Sequence, residues 1–126
     1  MNIYVKTGKQ MTGMVLTGEH NKIYMYKAFE NKGMSKQDQI LLATQRGVAF
    51  VRNNKVKHAG DELNIYADAS CDMGLIAQNA YLKRFNYPIS FKKVNTEQER
   101  QHMLLASTEA DMELRRIMVR GGGYAR

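Results

Sequence analysis

"ELNIYADAS", residues 62–70, decides the fold. Leu63, Ile65 and Tyr66 give the run the β-branched and aromatic character of a strand. Its continuous apolar character suits a central strand buried on both faces. It closes on a carboxylate, Asp68, with an alanine on each side. Two readings of that carboxylate stand side by side. It is a ligand for a metal ion, or it caps the helix that begins near "SCDMG", since aspartate readily accepts hydrogen bonds from a first helical turn.

Three candidate strands precede this run: "NIYVKTG", "TGMVLTG" and "KIYMYKAF". The turn-rich link "TGEHNK" joins the last two as a hairpin. "MSKQDQILLATQRGVAFVRNN" follows with helical spacing. Ser35 is its expected N-cap and Asp38 completes an imperfect capping box, while Gly47 predicts an early end. After the central strand, "CDMGLIAQNAYLKRF" reads as one helix, broken by Asn86 to Pro88. "ISFKKV" reads as a strand, with Ile89 and Phe91 on one face. In "NTEQERQHMLLASTEADMELRRIM", Thr96 and Glu99 form a capping box, and Met103, Ala106, Ala110, Leu114 and Ile117 draw one apolar stripe. The predicted order is β-β-β-α-β-α-β-α, an α/β mixed-sheet fold with a long C-terminal helix.

The chain has 126 residues, 44% of them hydrophobic, enough for one core. The expected organisation is a single α/β domain over residues 1–118 and a flexible Gly/Arg tail over 119–126. No apolar run approaches the roughly 18 residues that span a membrane, so no membrane partner is expected. The N-terminal stretch lacks a signal-peptide pattern, and the lone cysteine, Cys71, excludes an internal disulfide framework. These features together predict the cytoplasm. Net charge is +7, which favours polyanions.

The element order and "IYADAS" resemble the ribonuclease H superfamily, whose fourth strand commonly reads like "IYTDS". The resemblance gives Asp68 the role of a metal-binding carboxylate. The helix "SKQDQILLA" resembles its family counterpart through Ser35, Leu41, Leu42 and Ala43. Ile40 stands where the family has a glutamate, unless the register falls on Gln39 or Asp38. The first strand departs from the pattern. It reads "YVKTG" where the family reads like "YVDGS", so Lys6 replaces a metal-binding aspartate. Asp111, in "STEADMEL", is the candidate for a further carboxylate. Two other registers compete: "VKHAGDELNIYAD" as the family's histidine loop and last helix, with His58, Asn64 and Asp68, and "IYADAS" with "TEADMEL" as its first strand and helix, with Asp68 and Glu113. The register that uses the whole chain is preferred.

Hydrolysis with two metal ions needs several carboxylates around two cations roughly 4 Å apart. A lysine beside Asp68 replaces that arrangement with a salt bridge and repels Mg²⁺. The expected function is therefore a degraded, non-catalytic relative that binds nucleic acid or a nucleotide and needs no cofactor. The binding residues expected are Lys92 and Lys93, the C-terminal Arg115, Arg116, Arg120 and Arg126, and Tyr124 as a stacking aromatic. Lys55 and Lys57 add positive charge ahead of the central strand.

The enzyme alternative is a nuclease dependent on Mg²⁺ or Mn²⁺, using Asp68, Asp111 and one of Asp38, Glu62 or Asp72. The third class is a homo-oligomeric interaction or sequestering protein, of phage or mobile-element accessory type. Its helix over 96–118 would pack against a copy, and nine methionines suit such an adaptable surface. Cys71 reads as a structural thiol. His20, His58 and His102 show no zinc-ligand spacing, and no phosphate-binding loop motif is present.

Overall fold

The computed structural model describes residues 1–56, 61–84 and 88–122. Five strands form one sheet: β1 (Asn2–Lys6), β2 (Met11–Thr17), β3 (Ile23–Glu30), β4 (Leu63–Ala67) and β5 (Ile89–Lys92). The helices are α1 (Lys36–Asn53), α2 (Met73–Ala77), α3 (Ala80–Lys83) and α4 (Glu97–Ile117). The spatial order is β3-β2-β1-β4-β5. The first three strands are antiparallel, and β1, β4 and β5 run parallel. The mixed α/β architecture expected from the sequence is the one found.

Alternation along β1 divides the core into two layers. Ile3 and Val5 join Leu16, Ile40, Val48, Leu63 and Ile65 on the α1 side. Tyr4, Val15, Tyr66 and Ala106 make the smaller layer beneath α4. Two glycines let the helices close on the sheet. A Cβ at Gly47 would sit 2.5 Å from Ile3 Cδ1, and one at Gly13 would sit 1.9 Å from the Ala106 carbonyl oxygen. Gly47 therefore does not end α1, which continues to Asn53. It is the point of close approach.

The expected caps form. Ser35 accepts from the Asp38 amide, and Thr96 and Glu99 complete their box. The helix expected over 71–85 is two short ones instead. The Asn79 side chain accepts from the Tyr81 and Leu82 amides, so the chain restarts there rather than continuing. In the apolar stripe of α4, Ala106 and Ala110 are buried and Met103 packs on the inner layer. That stripe is occupied by the protein's own sheet. The outward residues of α4 and the turn after it are Leu104, Met112, Met118 and Val119. Residues 118–122 carry the chain on in a π-type turn. Tyr124 and Arg126 lie outside the described residues, as do Lys57 and His58. No described helix is long and apolar enough to cross a membrane.

Candidate functional site

The parallel pairing of β1 and β4 sets Val5 opposite Ala67. The next residues on both strands, Lys6 and Asp68, therefore emerge side by side at the carboxyl ends of the strands. Open α/β sheets place their ligand sites there. Lys6 Nζ donates to Asp68 Oδ2 at 2.9 Å. The other carboxylate oxygen, Oδ1, accepts from the Thr7 amide and the Thr7 hydroxyl, each at 2.9 Å. Burial pushes the Asp68 carboxyl up. The Thr7 amide, the Lys6 ammonium and the Thr7 hydroxyl outweigh burial and hold it below the usual carboxylate range.

Asp68 is thus not the cap of the following helix. Asp72 is, accepting from the Gly74 and Leu75 amides. It wins because it directly precedes the first turn, where its side chain reaches both amides. The opening carboxylate is instead held by residues some sixty positions away.

Gln39 is the residue of α1 that reaches this end of the sheet. Ile40 is fully buried in the core and Asp38 is exposed. The Gln39 side chain, 2% exposed, accepts from the Gly8 amide and the Thr12 hydroxyl and donates to the Gly8 and Met34 carbonyls. It is a neutral strut for the β1–β2 turn. The sequence carried one signal for it. Gln39, Ala43, Gly47 and Val51 recur at four-residue steps among the buried residues of α1, and of these four only Gln39 is polar.

The donors here do not fit a pair of metal ions. Both Asp68 oxygens are engaged, and one of them by an ammonium group. Asp111 lines a neighbouring cavity that does not include Asp68. Glu62 and Asp68 bracket the five residues of β4, which at about 3.3 Å per residue sets them roughly 20 Å apart. Among the described residues, no three His, Cys, Asp or Glu side chains converge in a way that would hold a cation. Cys71 is half-buried, and burial followed by the Asp72 charge pushes its thiol up, against a role as nucleophile.

A trough runs from Asp68 along α4. Its first section, about 430 Å³, is lined by Lys6, Asp68, Lys93, Arg100, Met103, Leu104 and Ser107, among others. The second, about 390 Å³, shares Lys6 and Ser107 and adds Lys9, Ala110, Asp111 and Leu114. The third, about 310 Å³, shares Gln10, Met11 and Leu114 and adds Glu30, Lys32 and Ile117. From Arg100 to Ile117 the helix rises about 25 Å. The cations stand mostly on the sheet and loop bank: Lys93, Lys6, Lys9 and Lys32. Sequence reasoning singled out Lys93 and missed Lys9, Lys32 and Arg100, because strand pairing and not a run of charges assembles the bank.

Of the other expected binding residues, Lys92 is exposed on β5. Arg115, Arg116 and Arg120 lie at the far end of α4, where Glu113 pairs with Arg116 at 3.1 Å and with Arg120 at 3.7 Å. The two basic groups expected from the sequence thus stand toward opposite ends of α4, and of them only Lys93 lines the trough.

The comparisons agree with this topology. The chain is similar to LC11-RNase H1, solved in complex with an RNA/DNA hybrid, with a TM-score of 0.53 and 13% identity, over 90% of this chain and 98% of that one. The fold is ribonuclease H-like. RNase H1 from the halophilic archaeon Halobacterium salinarum NRC-1 is also similar, with a TM-score of 0.49 and 11% identity over 89% of this chain and 99% of that one. No protein-family model matches the chain, and no curated protein matches it. At this identity the likeness establishes the ribonuclease H-like fold and nothing of the chemistry.

Proposed function

We propose that this ribonuclease H-like protein binds nucleic acid through the trough along α4 and does not cleave it. The observation that carries the reading is the Lys6–Asp68 pair. It puts an ammonium group, its side chain 40% exposed, at the strand ends where the resemblance calls for a carboxylate. Lys6 is shared by two sections of the trough, so a phosphate lying there meets a cation already positioned by Asp68. Lys93 and Lys9 extend the positive bank on either side. The chain's net charge of +7 adds long-range attraction. A fold-mate solved with an RNA/DNA hybrid makes nucleic acid the first ligand to test. A row of cations mostly on one bank suits a single strand better than a duplex.

The test is fluorescence anisotropy with a labelled single strand and a labelled RNA–DNA hybrid, at two salt concentrations with Mn²⁺ present. Binding should fall steeply with salt while both probes stay intact. Lys9→Ala and Lys93→Ala should each lower the log–log salt slope for single strand by about 0.7. Shortened probes would overturn the non-cleaving reading, and no binding to either probe would overturn the reading as a whole.

A further inference from the structure

The two edges of the sheet are treated differently. β5 is short, follows Pro88 and carries Lys92 with Lys93 just beyond it. Shortness, proline and lysine are the usual means of blunting an edge. β3, the opposite edge, has eight residues and no proline. Its outer backbone N–H and C=O groups face away from β2. Its pairing with β2 is regular from Met11–Glu30 to Leu16–Met25, and the one irregularity falls at its start. Ile23 and Tyr26 are 41% and 53% exposed. An edge this long and this apolar is a template for another strand.

We propose that β3 pairs antiparallel with β3 of a second copy of this chain, making one continuous ten-stranded sheet across a two-fold axis at Tyr26. The sequence of the strand selects that partner, because "KIYMYKAFE" is complementary to its own reverse. With Tyr26 opposite Tyr26, Lys22 faces Glu30 twice, once on each side of the axis. Ile23 faces Phe29, Tyr24 faces Ala28, and Met25 faces Lys27. The Lys22 backbone is extended but its N–H and C=O already bond Glu19 and Gly18, so the ladder starts after Lys22 and the exposed Lys22 and Glu30 side chains meet at its ends. Opposite charges and aromatic pairs directly across an antiparallel ladder are favourable.

Neighbouring registers lose this match. Side chains stay on their own face of the sheet only when the register moves in steps that preserve alternation. One such step sets Lys27 against Lys27, a like-charge pair. The opposite step sets Lys22 against Ala28 and leaves both Glu30 side chains without a lysine. The register is therefore specified by charge at the two ends and by Lys27 in the middle. The contact is a ribbon about one strand wide, which belongs among small interfaces, so the dimer should dissociate on dilution.

Light scattering coupled to size exclusion tests this over a hundredfold range of concentration, with nucleic acid removed, so the outcome is independent of how the trough is read. The mass should rise from 14.4 kDa toward twice that value. Lys22→Glu and Glu30→Lys, each placing like charges at both ends of the ribbon, should each weaken the dimer about tenfold or more. The double charge swap should restore it. Circular dichroism of each variant controls for folding. A wild-type mass fixed at 14.4 kDa overturns the proposal. So do single variants that dimerise unchanged, or a double swap as weak as the singles.

Discussion

Replacing Asp68 by alanine separates a structural brace from a chemical centre. In the wild type its carboxylate accepts from the Thr7 amide and hydroxyl at 2.9 Å each, and Thr7 is only 5% exposed. Alanine leaves both donors without an acceptor in a nearly buried place. Hydrogen bonds to a charged acceptor are worth about 1.5–3 kcal/mol each, and water entering beside the half-exposed Lys6 recovers part of that. The Lys6 contact adds little, less than about 0.5 kcal/mol, because its ammonium is well exposed. The expected cost is about 3 kcal/mol, or roughly 12 °C in Tm for a chain of this size. Asp68→Asn keeps one acceptor for Thr7 and should cost about 1 kcal/mol. Urea unfolding at neutral pH measures both. The sign of the acid dependence follows from the lowered carboxyl. Its stabilisation is complete above the unfolded value of 3.8 and is lost as pH falls through the lower folded value, so the gap between wild type and Asp68→Ala should close below pH 3.8. Carboxylates held for chemistry commonly raise stability when removed. An Asp68→Ala protein as stable as the wild type, or more so, would refute the reasoning.

His102 is 2% exposed, and its Nδ1 has no hydrogen-bond partner among the described residues; burial lowers its basicity, opposed in part by Glu99. The wild type should therefore lose stability as pH falls below 6.5, by up to about 1.4 kcal/mol per pH unit, and His102→Leu should be flat there in urea titrations. Gln39→Glu places a charge against the Gly8 and Met34 carbonyls and should cost about 3 kcal/mol or more by thermal melting, where a metal-ready site would tolerate it. Gly13→Ala drives a methyl group into the Ala106 carbonyl, and the backbone of α4 has to move. A loss above about 2 kcal/mol in the same assay is expected.

What was legible in the sequence was local. Ser35, Thr96 and Glu99 act within one helical turn, so their spacing alone revealed them. The strand character of residues 62–70 was legible for the same reason. What was not legible depends on contacts across the fold. Asp68 looked like a neighbour's cap because its true partner, Thr7, is 61 residues away. Gly47 looked like a helix breaker because Ile3, which needs its missing side chain, is on another element. The trough was invisible because Lys6 and Lys9, Lys32 and Lys93 come from three separate stretches that meet only when the sheet is assembled.

At the end of β1 the fold holds an ammonium group against a carboxylate. Carboxylates packed together repel one another and need bound cations to offset the repulsion. Lys6 places a cation beside Asp68, whose oxygens accept from that ammonium and from Thr7. The neutral Gln39 acts in the same direction, because an amide both donates and accepts and so ties Gly8 from both its N–H and its C=O. Both side chains engage polar atoms at the β1 end with partners inside the protein. The ammonium of Lys6 has three protons, and Asp68 takes one. The Lys6 side chain, 40% exposed, lines two sections of the trough. A lysine at this place thus satisfies Asp68 within the fold while its side chain still faces the trough.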